Sequence, residues 1–409
     1  MNIEKTFWII LILWFLLRSI LLGCQYFGST DEALHIEVLK YFSQEDIDAG
    51  RNYALSGFWF KAIYGTVYVT LLVLLLKFGF FAWLWQKISS LAGVGLFKRD
   101  LLYVISFFIV LQLLSFPSSF YFGYLRERAS RFSNLDMAGW FLRYFKAVPL
   151  NLLIQSIFII ALLAVIRYLP GKWPWVLPLV LGTIVAVMMI LKPMIVTPLF
   201  YNEKPLEAGE FRDKLLEIAQ KADLSVKEIY VIDESRYSKH TNAYFEGFGS
   251  FRRIVLYDNL INSHTPEEAA LIFAHEAGHW KYNHIVWGIS CGILGAFAIC
   301  YLVHILFARL ATVSWFGLSE LSSAGSLPFF MIAYMVLQLF FTPIESQISQ
   351  YMEIQADKTS IELTGLNDVF RNAQIRLSKD NRNDLVPHPF RVFWLYSHPT
   401  ALQRIKLSE

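Results

Sequence analysis

The sequence is poor in charge and poor in cysteine. Asp, Glu, Lys and Arg make up only 17% of its 409 residues, where a soluble domain carries about 25%. The net charge of +3 is small, and no basic block or nucleic-acid motif accompanies it, so nucleic acid is not an expected partner. Cys24, Cys291 and Cys300 lie in or beside apolar runs, without CxxC or zinc-knuckle spacing. That excludes a disulfide framework and a cysteine metal site, and leaves buried free thiols. "ILLGC" ending at Cys24 faintly resembles a bacterial lipoprotein cleavage site, but Arg18 interrupts the apolar stretch before it. The first segment therefore reads as a retained span. Internal repeats and low-complexity linkers are absent as well.

What the chain has in abundance is apolar side chains, 56% of the total, gathered in long runs. Runs of roughly 18 or more read as membrane-spanning helices. Seven are expected, near 6–25, 63–86, 101–123, 148–168, 174–196, 285–308 and 326–345. A polar insertion follows the fifth and a polar tail follows the seventh. The implied division is 1–196 for spans one to five, 197–284 for the insertion, 285–345 for spans six and seven, and 346–409 for the tail. Lys and Arg favour the odd loops by eight to six. The insertion and tail lie on that same side. The positive-inside rule then places both in the cytoplasm and the N-terminus outside, lumenal or periplasmic. Gln112, Asn151, Gln155, Lys192 and Gln338 fall within spans, where polar groups face a bundle interior or a water-filled cavity.

The chemistry concentrates in "NSHTPEEAALIFAHEAGHWKYNH". Thr265, Pro266 and Glu268 form a helix start with a capping box. On the helix that follows, His275 and His279 are four apart and share a face, so both rings can grip one cation. Glu276 lies beside them, close enough to hold a water at the metal, which is the H-E-x-x-H arrangement of zinc hydrolases. A catalytic zinc takes three protein ligands. The helix is expected to run on into span six, where His284, five residues past His279, points about 140° round from it. The better third ligand is Glu353 in "SQYMEIQADKTSIEL", with Asp357 one turn later able to accept the second ring N–H of a ligand histidine. Taken alone, that segment is an ordinary acidic helix.

"HEAGHWKYNH", a two-span hairpin, "EIQAD" and "YSHPTALQRI", with "TNAYFEGFGSFRRIVLYDNL" upstream, together resemble the integral-membrane CAAX prenyl proteases of type I. The resemblance covers the whole span order and is most specific from about 190 to 405. It implies a mainly α membrane protein, with seven helices around a water-filled chamber and a zincin-like α+β protease domain closing the cytoplasmic end. It also implies one zinc per chain and an edge strand, Asn242, Ala243, Tyr244 and Phe245, that pairs with the substrate backbone. His398 would stabilise the oxyanion. Arg404 would support the metal-site carboxylates or meet a substrate carboxylate. The stretch "RLSKDNRNDLVPHPF" departs from the family's usual Asn-Leu-Ser wording.

The expected activity is zinc-assisted peptide hydrolysis near the C-terminus of CAAX-type substrates, prenylated ones included. A broad-specificity membrane quality-control metalloprotease is the alternative. A channel or transporter with a structural zinc is a third reading, and Glu276 between the two ligands argues against it, because a structural site needs no general base.

Overall fold

The structure, a computed structural model, describes residues 3–224, 226, 228–247, 253–310 and 320–409. Seven of its helices are long and apolar enough to cross a membrane: Phe7–Phe27, Gln44–Lys77, Leu96–Ala129, Met137–Tyr168, Trp173–Phe200, His284–Leu306 and Ala324–Thr364. The number and order match the apolar runs of the sequence. Their most apolar windows are only 11% to 22% buried in the first six and 39% in the seventh. Helices that bury so little of themselves form the wall of a ring rather than a solid bundle. Asn151 and Gln155, one turn apart on the fourth span, are both exposed, as polar groups facing an aqueous interior would be. Gln112 donates to the Tyr144 hydroxyl at 2.6 Å, joining spans three and four.

Two expectations need correcting. The second span does not run through 63–86. It stops at Lys77, and Phe78 and Gly79 turn the chain into a separate helix, Phe80–Ser89. Gly79 is left-handed, with φ of 72°, which a side chain resists. The span instead gains length at its other end. The seventh apolar run also does not stop at 345. A single helix, Leu327–Thr364, carries it onward through Glu353 and Asp357. The 41-residue segment that includes it spans about 60 Å, at 1.5 Å per residue. A hydrocarbon core is only about 30 Å thick, so the lower half projects beyond it as part of the polar unit.

That unit contains a four-stranded sheet: β1 (Glu203–Pro205), β2 (Ile229–Ile232), β3 (Ala243–Glu246) and β4 (Arg253–Tyr257). The order is β1-β2-β4-β3. β2 and β4 are parallel and the other pairs antiparallel. β3 is therefore an edge. The remainder of the glycine-flanked segment, from Phe248, lies outside the described residues. One face of the sheet buries Ile229, Ile254 and Leu256 against Leu215 of helix Glu210–Lys221 and Ala270, Phe273 and Ala274 of helix Pro266–Lys281. Each large apolar side chain so buried contributes about 1.5–3 kcal/mol.

The sheet is also tied to the membrane ring. Glu246, buried at the end of β3, lies 3.4 Å from Lys192 at the end of span five and 2.6 Å from Arg253. Lys192 further sits 4.7 Å from the Tyr244 ring. The lysine that the sequence places within span five thus ends in an ion pair at the protease unit.

Candidate metal centre

The helix Pro266–Lys281 starts as its sequence dictates. The Thr265 hydroxyl accepts from the Glu268 N–H at 3.2 Å, and the Glu268 carboxylate accepts from the Thr265 N–H at 3.0 Å. Its apolar face buries Leu271, Phe273, Ala274 and Ala277, which leaves His275, Glu276 and His279 half-buried on the other side. Gly278 has a tertiary role. A Cβ there would come 2.9 Å from the Ala356 Cα and 3.1 Å from the Thr359 Cβ. The two helices cross with no side chain between them, and that brings Glu353 within reach of the histidines.

His275, His279 and Glu353 converge, with one ligand atom from each lying within 4.8 Å of the others. His275 Nε2 is 3.3 Å and His279 Nε2 3.4 Å from the Glu353 carboxylate. The two Nε2 atoms are 3.1 Å apart. One oxygen of Glu353, Oε2, is buried without a hydrogen-bond partner. Two imidazole nitrogens and an orphaned carboxylate oxygen around one point are a donor set suited to a divalent cation, so the residues present fit a metal.

The other ring nitrogens are occupied. His275 Nδ1 lies 2.8 Å from Asp357. Arg404 grips Asp357 with both arms of its guanidinium, Nε at 2.7 Å and Nη2 at 2.5 Å. Of the two roles open to Arg404, this contact is the kind that the first requires. His279 Nδ1 lies 2.8 Å from His284 Nδ1, and His284 Nε2 lies 3.0 Å from Gln355 Oε1.

His284 therefore does not point away. The helix does not continue into span six. It ends at Lys281, Asn283 takes a left-handed φ of 53°, and a new helix begins at His284. Asn is among the few side chains that adopt this conformation readily. The break swings His284 back beneath His279, and the 140° of a continuous helix does not apply.

Burial disfavours charge on His275, but its bonds to Asp357 and Glu353 outweigh that and raise its pKa to about 10. Burial pushes the Glu276 carboxyl upward, although His275 and His279 pull the other way. Glu276 also takes a hydrogen bond from the Phe245 backbone N–H. In the antiparallel β3–β4 ladder, the Tyr257 N–H donates to the Asn242 carbonyl at 3.0 Å. By alternation, Ala243 and Phe245 then present their N–H groups to the open edge. Both donors are already engaged. Ala243 donates to the Asn242 side chain at 3.0 Å, and Phe245 donates to Glu276.

His275, Glu276 and Glu353 line a cavity of about 150 Å³ together with Asn242, His398 and Arg404. His398 Nε2 is 3.5 Å from Glu353, and its Nδ1 lies 2.8 Å from the Ser397 hydroxyl. The cavity's remaining wall is helix Asn367–Asp380, through Phe370, Ala373, Gln374 and Leu377. Sequence reasoning misses this wall. Its amphipathic pattern marks a helix but nothing in it marks a site.

The CAAX prenyl protease N-terminal profile, described as five membrane helices, matches residues 29–202. The profile of peptidase family M48 matches residues 205–408. The chain belongs to peptidase family M48. A metal belongs to that family, and in this chain the two histidines and Glu353 offer the ligands for one. The chain is 28% identical over 388 residues to CAAX prenyl protease 1 of Saccharomyces cerevisiae, covering 88% of this chain and 85% of that one. It is 24% identical to the human CAAX prenyl protease 1 homolog, over 90% and 87% of the two chains. A Bacillus subtilis protein named uncharacterized metalloprotease YhfN is 29% identical over 224 residues, 54% of this chain and 53% of that one. The crystal structure of Ste24p from S. mikatae superposes with a TM-score of 0.80 at 24% identity, over 97% of this chain and 99% of that one. That establishes a shared fold. The M48 chain described here is accordingly a multi-pass membrane metalloprotease that resembles the CAAX-processing enzymes.

Proposed function

We propose that this chain is a zinc metalloendopeptidase of the HExxH-plus-Glu type, cleaving near the C-terminus of CAAX-type proteins, prenylated ones included. The observation that carries the reading is that His275, His279 and Glu353 converge, and that His275 and Glu353 line one cavity with Glu276 beside an open strand edge. One zinc is held per chain, by the Nε2 atoms of His275 and His279 and by Glu353. When bound, it supplies Lewis acidity. Glu276 takes the proton of the attacking water and returns it to the leaving amine. His398 donates to the oxyanion of the scissile carbonyl. Asp357 fixes the ring of His275, and Arg404 holds Asp357.

The substrate backbone adds to the edge at Asn242, Ala243, Tyr244 and Phe245. The Phe245 N–H then passes from Glu276 to the substrate, and the carboxylate becomes free to act as base. The protease unit is assembled from the insertion 197–284 and the tail 346–409. It faces the cytoplasm, with the N-terminus on the opposite side of the bilayer. The partners are a peptide or protein substrate and the lipid bilayer.

The test is turnover by the purified, zinc-loaded chain on a farnesylated CAAX peptide and on an unfolded protein. Preferential cleavage of the CAAX peptide is expected. Equal cleavage of both would favour the quality-control reading, and no cleavage of either would defeat the proposal. A reporter fused after Glu409 should be active only in its cytoplasmic form. Exported-type activity would reverse the orientation.

A further inference from the structure

A second cavity, of about 580 Å³, lies where spans one to three meet the loop that follows helix Asn367–Asp380. Four cations line it, Lys61, Arg126, Arg382 and Arg391, against one carboxylate, Asp384. Arg391 lies 3.9 Å from Asp384, which Arg51 also approaches at 3.5 Å. Arg126 stacks on Tyr53 at 4.0 Å and donates to Ser56 at 2.8 Å. Among the described residues, the Lys61 ammonium has no hydrogen-bond or ion-pair partner, and the Arg382 side chain meets only the Phe132 ring, at 5.6 Å. The Nε of Arg391 is buried without an acceptor. Positive charge is in excess here, and part of its donor capacity is unspent.

The backbone adds an independent observation. Helix Asn367–Asp380 ends in a Schellman motif. Asn383 N–H donates to the Ser378 carbonyl at 2.9 Å and Arg382 N–H to that of Lys379 at 3.0 Å. The left-handed position of this motif is normally glycine, yet here it is Arg382, with φ of 48°. The turn is also held tightly. A Cβ on Gly50 would collide with the Asn383 carbonyl, and Ser29 N–H donates to the Val386 carbonyl at 3.1 Å. A rigid turn thus sets an arginine where glycine fits better, at the wall of a cavity lined by four cations and one carboxylate. Strain of this kind collects at binding sites.

The turn that ends helix Asn367–Asp380 carries the chain from one cavity to the other. Ala373 and Leu377 line the metal cavity, and Arg382 lines the basic one. The intervening five to nine residues reach roughly 8–13 Å, which an extended peptide covers in about two to four residues. Resting on the endopeptidase reading above, we infer that the basic cavity binds the C-terminal carboxylate of the peptide substrate, with Lys61, Arg382 and Arg391 as its counter-charges. The site makes the enzyme select chains that end a few residues beyond the cleaved bond.

The experiment compares two fluorogenic peptides on the full, zinc-loaded chain, identical except for a free C-terminal carboxylate or a C-terminal amide. The amide forfeits a charge-assisted hydrogen bond, which lowers kcat/KM about tenfold or more. In Arg382→Gly and Lys61→Gln the acid-to-amide ratio should fall toward one. The melting temperature of Arg382→Gly should be no lower than that of the parent, because glycine suits the turn. Equal cleavage of acid and amide by the parent would overturn the inference and leave the endopeptidase reading intact. An undiminished ratio in both variants would also overturn it, and cleavage of neither peptide would remove both. Adding an anionic phospholipid to the micelles should leave the parent's ratio unchanged. A collapse of the ratio there would assign the cavity to a lipid headgroup instead.

Discussion

The metal cavity, walled by helix Asn367–Asp380, and the basic cavity, at the turn that follows it, treat charge in opposite ways. Around the metal centre the histidines and Asp357 are each held by another group of the protein. His275 is held by Asp357 and Asp357 by Arg404, while His279 is held by His284 and His284 by Gln355. Among the described residues, one oxygen of Glu353 is buried there without a hydrogen-bond partner. In the basic cavity, among the described residues, Lys61 and Arg382 have no carboxylate paired with them. The first pattern fixes groups in advance for chemistry. The second leaves charge unspent for a ligand to neutralise.

The sharpest way to break this contrast is to remove the proposed base while keeping its shape. Glu276→Gln should lower turnover roughly 10²–10⁴-fold, with zinc content unchanged when measured on the same sample. Near-parental turnover at full zinc would refute the mechanism. Next in size is Asp357→Ala, which strips the partner from His275 and leaves Arg404 unpaired. Removing such a supporting carboxylate typically weakens metal binding about 10–100-fold, and the upper end is expected here. Competition with a chelator measures it, and parental affinity would show that Asp357 does not hold the ring.

The same pairing sets a proton balance. With its pKa raised to about 10, His275 is protonated at pH 7 when no metal is bound, and a metal ligand must be neutral. Zinc uptake at pH 7 should therefore release about one proton, and affinity should fall as pH falls. Calorimetry in two buffers of different ionisation enthalpy counts the proton, and a count of zero would contradict the pairing. The smallest effect belongs to His284→Ala. It removes a neutral partner rather than a charged one, so zinc stays bound with affinity lowered about tenfold at most. A drop as large as that of Asp357→Ala would erase the distinction between the two chains of support.

The proposed ligands could be named in advance because each rests on local geometry. Residues four apart on a helix share a face whatever the rest of the chain does, so His275 with His279, and Glu353 with Asp357, could be paired off from spacing. His284 was misplaced for the same reason. Its expected direction holds only on an unbroken helix, Asn283 breaks that helix, and "KYNH" carries no proline or glycine to announce the break. Span two was misplaced where Gly79 turns the chain inside a run that stays apolar. Helix Asn367–Asp380 was not legible as part of the site because a cavity wall has no residue pattern of its own.

By itself, then, the sequence determined that this protein crosses the membrane in seven helices and carries a metal-ligand motif. Hydropathy and helical periodicity are properties of neighbouring residues. The tertiary structure alone decided that Gly278 lets two helices meet at Ala356, that Arg404 turns to Asp357 rather than to solvent, and that Arg382 ends at the wall of a cation-lined cavity. Those outcomes depend on which distant backbone approaches closely, and no local pattern records that.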